Sequence, residues 1–336
     1  MCAVLGSAAC AVIDIVGAEH KRARAGVLES PSTGSMRNLF RKEPPYITVP
    51  GQARPASGPK QAGGDGLWVR CENERCRELL YVREFENNLK VCHKCEHHAR
   101  LSARERVSQL VDEGSFVEHD ADLSPADPLD FTAGDTSYGR KLVEAAAKTG
   151  EREAAIGGSA TIDSLPVELV ALDFAFMGAS MGSVVGEKIA RAADRSASRH
   201  APLITVSASG GARMQEGIFS LLQMAKTVTA LGNVGASRTP YISILADPTL
   251  GGVTASYAGV GDVIIAEQGA VAGFAGPRVI EQITKQKLPP DAQRAAFLLE
   301  HGMVDMVVHR RELRPLLTRL LHLYAAIAQR AAAPTR

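Results

Sequence analysis

Three apolar runs, each breaking off into small residues, constrain this chain more than any other feature. They are FAFMGASMG (174–182), VSASGGA (206–212) and LADPTLGGV (245–253). Each run has the length of a buried strand and gives way to glycine and then to a helical pattern. SVVGEKIARAADRSAS reads as an amphipathic helix, and ARMQEGIFSLLQMAKTVTAL as a second helix beginning near Ala212. Upstream, IGGSATIDSLPVELVALDFAF reads as two strands around an Asp163-Ser164 turn. Downstream, YISILAD is a strand, VTASYAGVG a short helix and VIIAEQGAVAGFAG a strand pair. RVIEQITKQ, AAFLLEHG and ELRPLLTRLLHLYAAIAQR are helices. Residues 99–114 also carry helical spacing, with Gly114 as a stop, and DLSPADPLDF reads as irregular loop. Such alternation of strand and helix predicts an α/β fold.

Glycine at the end of a buried strand has two uses. It makes a tight turn, and it lets a ligand approach the backbone without a Cβ in the way. In SASGGARMQEG the amides of Gly210 and Gly211 would sit at the positive end of the helix read from Ala212, where unpaired N–H groups form an oxyanion hole. The same logic applies to Gly178–Gly182 and to Gly251-Gly252. Arg213 and Arg278 lie beside glycine turns, where each is either a fork for a carboxylate or phosphate or a surface ion pair. The phosphate-loop pattern GxxxxGK[ST] is missing, and Ser207 and Ser209 do not sit in GxSxG.

Four of the six cysteines fall between positions 71 and 95, as Cys71-x4-Cys76 and Cys92-x2-Cys95. Two such pairs can close a tetrahedral four-thiolate zinc site of structural type, with no open position for catalysis. Between them ELLYVREFENNLKV reads as a hairpin about Asn87-Asn88. His93, His97 and His98 are alternative ligands should Cys71 not serve. Clustered thiols point to a reducing, cytoplasmic setting rather than a disulfide scaffold. Residues 1–17 are apolar, but they lack a basic start and contain Asp14, which argues against a signal peptide. No apolar stretch is long enough for a spanning helix. Residues 1–66 read as a disordered leader, rich in Pro, Gly and Ser, with Met36 as an alternative start. A net charge of +1 gives no bulk attraction to polyanions.

The runs LWVRC, VCHKCEHHARLSARERVSQLVDEGS, DFAFMGASMGSVVGEKIARA, SASGGARMQEG, PYISILADPTLGGVTASYA and AGFAGPRVIEQ closely resemble those of the β subunit of bacterial acetyl-CoA carboxylase carboxyltransferase. The match spans about residues 66–325. It departs from the family in the four-residue spacing of the first cysteine pair and in the leader. The resemblance implies an N-terminal zinc ribbon (67–98) and a crotonase-like domain of ββα units (99–330). It implies transfer of a carboxyl group from carboxybiotin, borne on a separate carrier protein, to acetyl-CoA, giving malonyl-CoA. It also implies an α subunit of related fold in an α2β2 assembly, with the active site between the two. On this reading Gly210 and Gly211 hold an oxyanion. Gly178, Ala179, Ser180, Met181, Gly182, Arg213, Gly251, Gly252, Phe274, Gly276 and Arg278 line the acyl-CoA site. Cys71, Cys76, Cys92 and Cys95 hold one zinc. Met224-Ala225-Lys226 lies in an apolar helix and does not read as a biotin attachment site.

Two rival readings stand beside this one. An acyl-CoA hydratase or isomerase would need carboxylate bases, for which Glu216 and Asp247 are the candidates. A nucleic-acid-binding ribbon would use Arg70, Arg75, Arg77, Arg83 and Arg100, but Glu72, Glu74, Glu78, Glu84 and Glu86 offset their charge.

Overall fold

A computed structural model describes residues 67–289 and 291–332. The leader read over residues 1–66, with its alternative start, lies outside the described residues. The chain opens with β1 (Trp68–Arg70), paired antiparallel with β2 (Leu79–Tyr81). The expected hairpin about Asn87-Asn88 is not formed. A short helix, α1 (Val82–Asn87), fills that stretch, and Leu89 and Lys90 then turn the chain with positive φ. Helix α2 (Ala103–Leu110) starts at a reciprocal cap. The Ser102 hydroxyl accepts from the Glu105 amide at 3.2 Å, and the Glu105 carboxylate accepts from the Ser102 amide at 2.8 Å. The helix is shorter than the 99–114 pattern predicts. Val111 is already extended, and Gly114 (φ 72°) belongs to a later turn.

Next come β3 (Val117–His119), the two-residue pair β4 (Thr132–Ala133) and β5 (Thr136–Ser137), and α3 (Tyr138–Thr149). Then β6 (Ala155–Ile162) and β7 (Leu165–Leu172) pair antiparallel across Asp163 and Ser164, both at positive φ as a two-residue hairpin turn requires. The rest alternates: α4 (Ser183–Arg199), β8 (Leu203–Ser209), α5 (Ile218–Ala236), β9 (Tyr241–Leu250), β10 (Val263–Glu267), β11 (Ala272–Gly273), α6 (Pro277–Thr284), α7 (Ala295–Glu300), β12 (Met306–Val308) and α8 (Leu313–Ala332). The sequence places a helix over 253–261, whereas the chain there makes turns and one 3-10 turn at Tyr257–Gly259.

The main sheet runs β12-β10-β9-β8-β7-β6-β3, with β11 added beside β9. Strands β7, β8, β9, β10 and β12 are parallel, so the glycine turns at the ends of β7, β8 and β9 all lie at one end of the sheet. Helices cover both faces. Val185, Ile189 and Ala193 of α4 and Ala230 and Val234 of α5 pack with Val170, Leu203 and Leu245. On the other face Val107 and Leu110 of α2 and Leu313, Leu317 and Leu321 of α8 pack with Ile204, Ile242 and Ile265. Strands buried on both faces read as continuous apolar runs, which explains why LITVSAS and YISILAD are legible.

Candidate functional site

The three glycine turns meet. The Gly210 amide donates to the Gly178 carbonyl at 2.9 Å, and the Met181 amide to the Gly211 carbonyl at 2.7 Å. A Cβ on Gly211 would lie 3.3 Å from the Gly251 Cα and from the Leu250 carbonyl oxygen. Gly211 also stands at φ 111°, so only glycine fits there without strain. Gly210 is exposed, and a Cβ on it would meet only the Gly178 oxygen, at 3.6 Å. Its backbone is open to an incoming group.

The turn differs from the expected strand-to-helix junction. No helix begins at Ala212. A 3-10 turn spans Met214–Glu216, Gly217 (φ 52°, ψ −127°) breaks the chain, and α5 starts only at Ile218. The glycine amides therefore do not crown a helix, and no helix dipole adds to them. Of the two expected oxyanion donors, Gly210 is committed to Gly178, and Gly211 donates to the Ser209 hydroxyl at 3.1 Å. Among the described residues, the amides of Gly178 and Ala212 have no partner, and both residues are partly exposed.

Arg213 is neither a ligand fork nor a surface ion pair. Its side chain is 0% exposed, and each of its five N–H donors has an acceptor. Nη1 and Nη2 donate to the Glu153 carboxylate at 2.6 Å each. The remaining bonds go to the Tyr138 hydroxyl at 3.1 Å, the Ser180 hydroxyl at 3.1 Å and the Ser180 carbonyl at 2.7 Å. Tyr138 donates in turn to Glu216 at 2.7 Å, whose other oxygen accepts from the Ser183 amide at 2.6 Å. Burial pushes the Tyr138 phenol well above its ordinary value, so the hydroxyl keeps its proton. The network fastens the start of α3 to the turns after β7 and β8. Glu153 and Tyr138 are not readable as site residues in the sequence, because isolated Glu and Tyr residues carry no spacing signal.

Other expected site residues divide by burial. Gly178 and Ser180 reach the surface, whereas Ala179, Met181 and Gly182 are buried beneath it. A Cβ on Gly182 would fall 2.3 Å from Glu216, so that glycine makes room for the carboxylate rather than for a ligand. Gly251 is half-buried, and Gly252 is buried against Met224. Phe274 is 72% exposed, and Gly276 caps α6. The side chain of Arg278 lies outside the described residues. The two carboxylates of the hydratase reading are both occupied. Glu216 is buried in the network above, and Asp247 accepts from the Val271 amide at 3.1 Å and faces Arg100 at 3.6 Å.

The four expected cysteines converge. Their sulfur atoms all lie within 4.8 Å of one another, with Cys71–Cys95 at 3.7 Å and Cys76–Cys92 at 3.9 Å. A tetrahedral metal with bonds of about 2.3 Å spaces its sulfurs about 3.8 Å apart, so the donor set fits. The longer first loop is taken up by a turn in which the amides of Cys76 and Arg77 both donate to the Asn73 carbonyl. His93, His97 and His98 stand outside this cluster of sulfurs. Burial pushes the Cys71 thiol well above its ordinary value when no cation is present.

The first half of helix α5, beside the glycine turns, is inverted in polarity. Ser220, Gln223 and Thr227 are among its buried residues, while Ile218, Phe219, Leu221, Leu222 and Val228 are exposed. Met214, next to it, is 78% exposed. A contiguous apolar face of this kind marks an interaction surface.

The chain as a whole resembles known proteins. The family model for the carboxyl transferase domain matches residues 95–321. The chain is 50% identical over 289 residues to the acetyl-coenzyme A carboxylase carboxyl transferase subunit beta of Herpetosiphon aurantiacus, covering 86% of this chain and 94% of that protein. The chain belongs to the carboxyl transferase family. The subunit of the same name from Pelotomaculum thermopropionicum is 53% identical over 287 residues, covering 85% of this chain and 97% of its own. Among solved structures, transcarboxylase 12S superposes with a TM-score of 0.56 at 27% identity, over 71% of this chain. This carboxyl transferase spans only 43% of that longer chain. A Pseudomonas malonate decarboxylase hetero-tetramer in complex with malonate gives a TM-score of 0.54 at 25% identity, covering 67% of this chain and 82% of its own. The fold is thus the crotonase-like carboxyl transferase fold.

Proposed function

We propose that this carboxyl transferase is the β half of an acetyl-CoA carboxylase carboxyltransferase, moving a carboxyl group from carboxybiotin on a carrier protein to acetyl-CoA to give malonyl-CoA. One observation carries the reading. In a chain half-identical to proteins of that name over most of their length, three glycine turns meet at one end of the parallel strands around an exposed Gly210. Such a mouth suits an acyl thioester. Loss of a methyl proton puts negative charge on the thioester oxygen, and backbone N–H groups stabilise it without reorganising. The partnerless amides of Gly178 and Ala212 are the available donors, and the Gly211 amide joins them by leaving the Ser209 hydroxyl. An anionic acceptor makes the stronger bond, so that exchange favours the enolate.

Carboxybiotin supplies the carboxyl group. This chain's part is to bind the thioester, polarise its carbonyl and keep Gly210 bare so that the donor can reach the methyl carbon. The proton goes to the biotin ureido group as it is released, which agrees with Glu216 and Asp247 being otherwise engaged. The inverted face of α5 is the surface proposed for an α subunit of related fold, in an α2β2 assembly. Cys71, Cys76, Cys92 and Cys95 hold one structural zinc, which supplies the folding energy that the small ribbon core lacks. The test is malonyl-CoA-dependent carboxylation of biocytin by this chain mixed with its α subunit. Carboxybiocytin formation supports the reading, and its absence from a folded mixture contradicts it.

A further inference from the structure

An open cavity of about 370 Å³ adjoins the Gly178 turn on its α3 side. Lys141, Glu144, Ala145 and Lys148 of α3 form one wall, and Met177, Ser180 and Gln215 form the other. That volume is in the range of small-molecule sites. The floor is apolar at Ala145 and Met177. Lys141 and Lys148 stand seven residues apart, about 10 Å along the helix axis. Among the described residues neither lysine has a carboxylate within ion-pair distance, whereas Arg140 on the same helix is paired with Glu144. Glu144 is itself occupied by Arg140 at 2.9 Å, so it does not neutralise the lysines. Tyr138 at the start of α3 is hydrogen-bonded into the Arg213–Glu153–Glu216 network, which anchors that end of the wall. A basic rim over an apolar floor, next to backbone donors without a partner among the described residues, is suited to a long thioester with phosphates at its far end.

We infer that Lys141 and Lys148 bind the phosphates of the acyl-CoA, with its pantetheine arm running over Ala145 and Met177 to the Gly178–Gly210 mouth. This rests on the acyl-CoA reading above. It assigns specificity to phosphate charge, so a thioester lacking phosphates should not register the lysines.

The experiment uses the complex with the α subunit and compares wild type with Lys141→Ala/Lys148→Ala and Lys141→Glu/Lys148→Glu. Binding of CoA and of phosphate-free pantetheine is measured by calorimetry, beside transfer from malonyl-CoA and from malonyl-pantetheine. The expected result is CoA binding weakened at least about tenfold in the alanine pair and further in the glutamate pair. KM for malonyl-CoA rises in step, and the preference for malonyl-CoA over malonyl-pantetheine falls by a similar factor. Added salt weakens CoA binding to wild type more than to the variants. Equal losses on both thioesters, or CoA binding within twofold of wild type, would overturn the assignment. Loss of transfer in the wild type, with lysine-dependent CoA binding intact, would sink the carboxyltransferase reading and leave the cradle standing.

Discussion

Taking the guanidinium from Arg213 strands the Glu153 carboxylate in a buried site. Breaking a buried pair in this way costs about 3–5 kcal/mol, so Arg213→Met should lower unfolding free energy by that amount in urea titration. A loss under about 1 kcal/mol would mean that the network is not closed in solution. Gly210 and Gly211 separate in the same kind of measurement. Gly211→Ala puts a Cβ at positive φ within 3.3 Å of backbone and should destabilise the fold by more than about 1 kcal/mol. Gly210→Val should leave stability within about 0.5 kcal/mol and lower transfer by about two orders of magnitude or more. A Gly210→Val enzyme of normal activity would remove that residue from the site. The glycine pair stands out in the sequence because glycine after a buried strand is a strong signal. Its hydrogen bonding does not, because the Gly178 carbonyl that claims the Gly210 amide comes from a different turn. Arg213 is likewise visible as a residue and invisible as a role, since its partner Glu153 is 60 positions away.

Helices are legible where one face is apolar and a strand precedes them, as α4 shows. Helix α3 escapes the sequence reading although its marks are present: Ser137 accepts from the Arg140 amide at its start, and Gly150 closes it at φ 75°. Gly139 in its first turn and an acidic, Pro-rich stretch before it obscure a pattern that Tyr138, Leu142, Ala145 and Ala146 supply. The sequence starts α5 near Ala212 rather than at Ile218, because RMQEG continues a helical pattern that Gly217 interrupts. That helix carries the element-scale prediction. Leu222→Asp places a charge on its exposed apolar face and should leave the isolated chain folded while abolishing assembly with the α subunit. Circular dichroism and analytical ultracentrifugation read the two effects. Unaltered assembly would move the interface elsewhere.

At the scale of the molecule, a few arginines join the ribbon to the sheet. Arg310 donates to the carbonyls of Leu89 and Ala99 at 2.7 Å each and also to Glu267, which in turn accepts from Arg106 at 2.9 Å. Arg100 lies 4.1 Å over the Phe174 ring. Burial works against the Glu267 carboxylate, but Arg106, His98 and Arg310 overrule it and hold it well below the ordinary carboxylate range. A carboxylate depressed on folding contributes stability above its unfolded value of about 4.3, and that contribution is lost as pH falls below it. Glu267→Gln should therefore destabilise the chain by about 3 kcal/mol at pH 7, with the gap to wild type narrowing as pH falls below about 4.3. A gap independent of pH would show that the charge does not carry the joint. The layered α/β plan and the convergence of the four cysteines are legible from period and spacing. The joint is not, because Glu267 and Arg310 sit in unremarkable stretches and acquire their meaning only once the strands are side by side.

This chain holds half of a carboxyltransferase site. Malonyl-CoA-dependent carboxylation of biocytin tests it most directly, assayed with the chain alone, with the chain plus α subunit, and with Gly210→Val plus α subunit. Full product formation is expected only in the wild-type mixture, with a residue of about one per cent or less in the Gly210→Val mixture. Full activity from the chain alone, or none from a folded and assembled wild-type mixture, would contradict it.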